Sequence, residues 1–258
     1  MKFTVLHLYD EYLNIYADRG NIAVLTERAR WRGIECEVRG LSIGESFDPG
    51  DVDLIYVGGG QDRDQAMIAE QMASSLAEPI REAVDGGTAL LAVCGGYQLL
   101  GEYYLDTNGH RQPGIGLMDH RTEAGSTRLI GNVLIEAELP AIGDRAAASV
   151  PVAGFENHAG RTMLGESATA LGRVVHGYGN DGVSGFEGCR RDRAIGTYLH
   201  GPLLPRNPEL ADWLIAAALA HAYDESAVSA LTPLDDALAF SARDVLIHRA
   251  QAERRVKL

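Results

Sequence analysis

Four short apolar runs, each closed by turn residues, alternate with helical stretches across the first hundred residues, and that alternation limits what the chain can fold into. The runs are FTVLHL (3–8), IECEV (34–38), VDLIYVG (52–58) and TALLAV (88–93). Between them, NIAVLTERARW (21–31) and DQAMIAEQMASSLAEPIREAVDGG (64–87) space their apolar residues as helices do. A strand, a helix and a second strand close into a right-handed crossover, which lays the strands parallel and puts helices over both faces. Strands covered on both faces carry unbroken apolar runs, as DLIYV and TALLAV do. The expected fold is α/β: a doubly wound, mostly parallel open sheet flanked by helices, with further helices at the C-terminal end.

Past residue 105 the pattern changes. STRLIGNVLIEAEL (126–139), SVPVAGFENHAGRT (149–162) and AIGTYLH (194–200) are punctuated by turns such as YGNDG, which predicts antiparallel or mixed strands. NPELADWLIAAALAHAY (207–223) is expected to be an amphipathic helix, and DDALAFSARDVLIHRAQAERR (235–255) a second helix with a basic end. No repeat or low-complexity linker divides the chain. Residues 1–222 are therefore expected to form one domain, with 223–258 a helical extension packed on it.

Charge and cysteine usage narrow the function classes. A net charge of −13 repels nucleic acid and anionic membranes alike. The N-terminal apolar stretch is interrupted by Asp10 and Glu11 too soon for a signal peptide, and no segment reaches the length needed to span a bilayer. Cys36, Cys94 and Cys189 are an odd set without CxxC spacing, so neither a disulfide framework nor a zinc knuckle is expected. The implied location is the reducing cytoplasm.

In open α/β sheets chemistry gathers outside the carboxyl ends of the strands. Two such ends stand out: VDLIYV runs into GGGQDRDQ (58–65), and TALLAV into CGGYQ (94–98). A nucleophile on a tight strand-to-helix turn needs small neighbours, and Ala92, Gly95 and Gly96 provide them around Cys94. A helix N-terminus beside the sulfur favours the thiolate. Backbone N–H groups of the glycine turn (Gly59, Gly60) and of Gly95 are candidates for an oxyanion hole. There is no GxxxxGK[ST] nucleotide loop.

A thiol nucleophile needs a base. His110, His120, His176, His221 and His248 read as surface or turn residues, and His7 as a structural residue of the first strand. His200, in GTYLHGPLLP, and His158, in GFENHAGRT, remain as candidates, with His200 favoured because it closes an apolar strand. A metal site is not expected, since Glu156 beside His158 leaves the ligand set a carboxylate short.

Taken together, VGGGQD, AVCGGYQLLG, RLIGN, GFENHAGRT and IGTYLHGPLLP resemble the class I glutamine amidotransferases, in the branch related to cobyric acid synthase. The narrowest resemblance is to the glutamine-hydrolysing subunits of lipid II isoglutaminyl synthases. It extends from the first strand to about residue 220 and implies a flavodoxin-like class I domain. It further implies that Cys94 forms a γ-glutamyl thioester and releases ammonia, that His200 shuttles protons, and that Arg128, Gln61 and Gln98 bind the substrate glutamine. A glutamate that many members carry two residues after the histidine is here Pro202. That leaves Glu209, Glu156 or a backbone carbonyl to orient His200.

The resemblance places no cofactor in this chain. ATP and Mg are expected on a separate Mur-ligase-like synthetase, forming a heterodimer that amidates the D-glutamate of the lipid II stem peptide. The helices at 207–223 and 235–255 are the expected docking face. Other readings of the residues are a glutaminase serving another ATP-dependent amidotransferase, a non-catalytic binding subunit of the same fold, and a cysteine peptidase.

Overall fold

Each of the four apolar runs forms a strand of one sheet in a computed structural model that describes residues 1–13, 19–60 and 62–256. They are β1 (Lys2–Leu8), β2 (Glu35–Leu41), β3 (Leu54–Val57) and β4 (Ala89–Val93). Helix α1 (Arg19–Arg30) connects β1 to β2. After β3, α2 (Asp62–Gln71) passes through one π-helical turn, Met72–Leu76, into α3 (Ala77–Asp85). A short helix, α4 (Gly95–Leu100), follows β4 directly.

The chain then leaves this sheet for β5 (Tyr103–Leu105), β6 (Arg111–Pro113), β7 (His120–Leu139), β8 (Ala148–Leu164), β9 (Gly172–His176) and β10 (Phe186–Glu187). It returns with β11 (Cys189–Arg191) and β12 (Ala194–Thr197). The first sheet has the order β11-β12-β4-β3-β1-β2, parallel throughout except that β11 runs antiparallel to β12. Every residue of β3, β4 and β12 is buried, as helices over both faces require.

While 194–197 rejoins the first sheet as β12, the segments at 126–139 and 149–162 lie in a second sheet, β10-β9-β7-β5-β6, with β8 paired along the other edge of β7. Its frame is the long β7–β8 pair, in antiparallel register from His120↔Leu164 to Leu139↔Ala148, with an irregularity between Ala124 and Leu129. This sheet buries polar side chains: Thr122, Glu156, His158, Thr162 and Glu187 are each at most 2% exposed.

Helix α5 (Pro208–Ala222) departs from its expected amphipathic character. Leu210 to Leu219 are buried without a break, because the helix packs on β1, β3 and β4 and is flanked by α1 and the turn at 225–230. A helix covered on every side is apolar all round and offers no docking face. Helix α6 (Ala237–Val256) does keep exposed apolar residues, with Leu238 87% and Val245 50% exposed. Its Leu246 packs against Leu134 and Ala153 of the second sheet.

Candidate active site

Strands β4 and β12 are neighbours in parallel register, Val93 opposite Thr197, so the segments that continue from them emerge at the same end of the sheet. Cys94 comes immediately after β4. Its backbone lies at φ +50°, ψ −103°, a region that costs a side-chain-bearing residue about 1–3 kcal/mol. The surroundings hold it there. Cys94 N donates to the Thr197 carbonyl (2.8 Å), Gln98 N donates to the Cys94 carbonyl (3.0 Å), and Gly96 N donates to the Gly58 carbonyl (3.2 Å).

Gly96 is needed for close approach. A Cβ there would lie 2.7 Å from the Val57 carbonyl oxygen, so any side chain would push the turn off the end of β3. The result is a strained strand-to-helix turn with a thiol at its tip, 8% exposed. Gly95 and Gly60 meet across this turn: a Cβ on Gly95 would sit 3.1 Å from Gly60 N. Gly59 precedes Gly60 on the same segment, while Gln61 lies outside the described residues.

His200 stands three residues beyond the end of β12. It is fully buried, and an isolated bridge ties it to Phe155: His200 N donates to the Phe155 carbonyl (2.8 Å), and Phe155 N donates back (3.2 Å). A cavity of about 610 Å³ opens beside it, bordered by Asn132, Phe155, Pro202, Arg206 and the Val245–Leu246 turn of α6. The two carboxylates considered as its orienters are engaged elsewhere. Glu209 receives both terminal nitrogens of Arg243 (2.8 and 2.9 Å), and Glu156 accepts from the Tyr178 and Gly179 amides (2.6 and 2.9 Å).

The other candidate base, His158, lies flat on the Tyr198 ring, with centroids 3.6 Å apart and planes 5° from parallel. Its Nδ1 donates to the Gly160 carbonyl at 2.8 Å, and its Nε2 lies 3.7 Å from Glu156. Gln98 is locked in a buried chain of hydrogen bonds. Its carbonyl accepts from Gln65 (3.0 Å) and its amide donates to the Tyr198 hydroxyl (3.1 Å), which meets Thr162 at 2.6 Å. Arg128 lies on an exposed part of β7, with Nε on the Asn157 side-chain oxygen and Nη2 on the Asn157 carbonyl, both at 2.7 Å. The residue after it, Leu129, is in register with His158.

The structure thus gathers Cys94, Gly60, Gly95 and the end of β12 beyond the carboxyl ends of neighbouring strands of the first sheet. Arg128 belongs to the second sheet, and Gln98 to the packing behind the turn. Gln65, Thr197, Tyr198 and Glu187 were not singled out by the sequence. Glu187 accepts from the Thr197 hydroxyl (3.0 Å to each oxygen) and from Tyr198 N (2.7 Å). Burial, and to a lesser degree the nearby Glu156 carboxylate, push its carboxyl up to about 8. A lone acid between glycine and an aromatic in GFEGC was its one sequence signal.

His120, read as a surface residue, is 1% exposed and tilted against the Tyr97 ring, centroids 4.6 Å apart. It is the first residue of β7, on the same inward face as Thr122. Burial pushes it down to about 4. Burial likewise pushes the Cys36 and Cys189 thiols up, to about 11 and about 12, which keeps both protonated. Among the described residues no group of three or more His, Cys, Asp or Glu side chains is placed to hold a metal ion. No helix among them is long and apolar enough to cross a membrane.

The chain has relatives among known proteins. It is 35% identical over 256 residues to the lipid II isoglutaminyl synthase (glutamine-hydrolyzing) subunit GatD of Staphylococcus aureus, covering 98% of each. It is 36% identical over 225 residues to the GatD subunit of Streptococcus pneumoniae, covering 87% of this chain and 83% of that one. Among solved structures, PurLQS from Thermotoga maritima shares the fold at a TM-score of 0.53 and 17% identity, covering 90% of this chain and 98% of that one. With the match to the family model over residues 4–208, the chain belongs to the CobB/CobQ-like glutamine amidotransferases.

Proposed function

We propose that this chain is the glutaminase subunit of a lipid II isoglutaminyl synthase, hydrolysing L-glutamine through Cys94 and passing ammonia to a partner subunit. The observation that carries the chemistry is the strained Cys94 turn, pinned by its N–H to the strand that leads to His200. The Cys94 thiolate attacks the side-chain amide carbon of glutamine, and negative charge develops on the carbonyl oxygen. The backbone N–H groups of Gly60 and Gly95 receive that charge; one such donor is worth about 3 kcal/mol in the transition state. As the intermediate collapses, the C–N bond breaks and His200 gives its proton to the departing nitrogen, leaving ammonia and a γ-glutamyl thioester. His200 then takes a proton from water as the water attacks the thioester, and glutamate leaves with the Cys94 thiolate restored.

Arg128 supplies the fork that would hold the α-carboxylate of glutamine, for which a guanidinium is well shaped. Ammonia has to reach an acceptor activated elsewhere. A Mur-ligase-like synthetase carrying ATP and Mg, acting in the cytoplasm on the D-glutamate α-carboxyl of the lipid II stem peptide, fits both the relatives and the missing nucleotide loop.

The test is glutamate release from L-glutamine by the chain co-expressed with such a synthetase. Turnover should vanish in Cys94→Ala. Diazo-oxonorleucine should label the native chain and leave that variant unlabelled. Arg128→Gln should raise KM about tenfold or more with a smaller change in kcat. Glutamine left intact by the native complex would overturn the reading.

A further inference from the structure

We propose that Glu187 is a positioning residue for this glutaminase: acting through Thr197 and Tyr198, it sets the backbone that carries both Cys94 and His200. The inference rests on the function proposed above.

Thr197 is where the two reactive strand ends meet. Its carbonyl accepts from Cys94 N at 2.8 Å. Its hydroxyl lies 3.0 Å from each Glu187 oxygen and accepts from Leu199 N at 3.1 Å. Thr197 is also the last residue of β12 in register with β4, so the N–H groups beyond it need new acceptors. They find them one after another. Tyr198 N goes to Glu187 (2.7 Å), Leu199 N to the Thr197 hydroxyl (3.1 Å), and His200 N to the Phe155 carbonyl (2.8 Å). The chain therefore reaches His200 along a path with every N–H fixed, and Glu187 holds its first step.

Glu187 is itself rigidly placed. It lies on β10 with 0% exposure, and the next residue, Gly188, is clamped by Asn180 through both its N–H (2.9 Å) and its carbonyl (3.0 Å). A buried carboxyl is costly unless its oxygens are satisfied, so a site that keeps one in contact with a strand end uses it. The groups facing it are Thr197 at the end of β12, Tyr198 just after it, Glu156 of β8 and Tyr97 of α4. With two carboxyls and no cation in that set, the protonated form is favoured, in line with the upward shift. A neutral acid keeps its carbonyl oxygen to accept from Tyr198 N and from the Thr197 hydroxyl. Glutamine can reproduce that pattern and alanine cannot.

The experiment measures initial rates of glutamate formation by the native complex and by Glu187→Ala, Glu187→Gln, Thr197→Val and the Glu187→Ala/Thr197→Val pair, with a melting curve for each. The expected result is kcat lower by about tenfold or more in Glu187→Ala and Thr197→Val, with KM within about twofold. The double variant should be no worse than the poorer single one, because both act along one path. Glu187→Gln should recover kcat to within about threefold of native. A merely structural role would lower the melting temperature and leave kcat alone. Folded Glu187→Ala and Thr197→Val proteins with native kcat would overturn the proposal. Should Glu187→Ala not fold, Thr197→Val decides, since it trades one hydroxyl for a methyl group. Failure of the native complex itself to hydrolyse glutamine would strike the functional reading instead, so the two failures are distinguishable.

Discussion

The two sheets bury opposite kinds of side chain. Strands β3, β4 and β12 of the first sheet are buried at every position, and their core-facing residues are almost all apolar. On that side of the molecule a buried cluster of charges lies among the covering helices and is paired by sign. Arg28 meets Asp212 (2.8 Å) and Asp236 (2.5 Å), and Arg32 meets Asp212 (2.6 Å). The second sheet instead buries two carboxyls, Glu156 and Glu187, beside His158 and several hydroxyls, and the nearby Glu156 adds to the burial that raises Glu187. The apolar sheet fixes where Cys94 emerges. The polar one governs the segment from Thr197 to His200. Framework and adjustment are divided between two layers.

The sharpest way to break this division is at Cys94. Replacing it with glycine removes the nucleophile and also the cost of φ +50°. Turnover should fall by about a thousandfold or more. Cys94→Ala loses the same activity but keeps the strained backbone. Chemical denaturation should therefore show Cys94→Gly to be more stable than Cys94→Ala by about 1 kcal/mol. Equal stability would mean that the turn stores no strain.

A second comparison sets one buried acid from each side against the other. Asp212→Asn leaves Arg28 and Arg32 without the carboxylate they share and should cost about 3–5 kcal/mol, with KM for glutamine unchanged. Glu187→Gln, which keeps the hydrogen-bonding pattern of a neutral acid, should cost about 1 kcal/mol or less. Urea unfolding of the two variants measures the contrast. Similar losses would mean that Glu187 is ionised in the folded protein and that the two sides do not differ in kind.

The same contrast explains what the sequence revealed. Apolar runs such as ALLAV and LIYV are legible because burial on both faces leaves a continuous signature over a few adjacent residues. The Cys94 turn was legible for a related reason: sterics demand small residues next to the nucleophile, and CGG is local. Glu187 was not, because its partners Thr197 and Tyr198 are ten and eleven residues further along the chain and come together only when β12 re-enters the first sheet. His120 was misread because a polar residue at a strand start looks solvated until the pleat direction of β7 is known. Helix α5 misled in a third way. Asp212 and Glu209 gave it an amphipathic look, yet both are taken up by arginines, Arg28 and Arg32 on and just after α1 and Arg243 on α6.

The smallest expected effect is also the most diagnostic of the second sheet. Glu187 rises from an ordinary 4.5 to about 8 on folding, so the folded protein holds that proton more tightly. Its contribution to stability is complete below pH 4.5 and is lost as pH climbs through 8. His120 moves the other way, from 6.5 down to about 4. Its contribution is complete above pH 6.5 and is lost as pH drops through 4. Between pH 4.5 and 6.5 the two slopes oppose, and stability should vary least there. Above pH 6.5 only the Glu187 loss remains of the pair, and a melting temperature lower by about 5 °C is expected by about pH 8.5. Glu187→Gln should flatten that alkaline limb and leave the acid limb in place, whereas Asp212→Asn should lower the whole curve without reshaping the alkaline side. An alkaline slope that survives Glu187→Gln would place its origin outside the second sheet. Loss of the slope in that variant alone would tie it to the carboxyl that holds the first N–H on the path to His200.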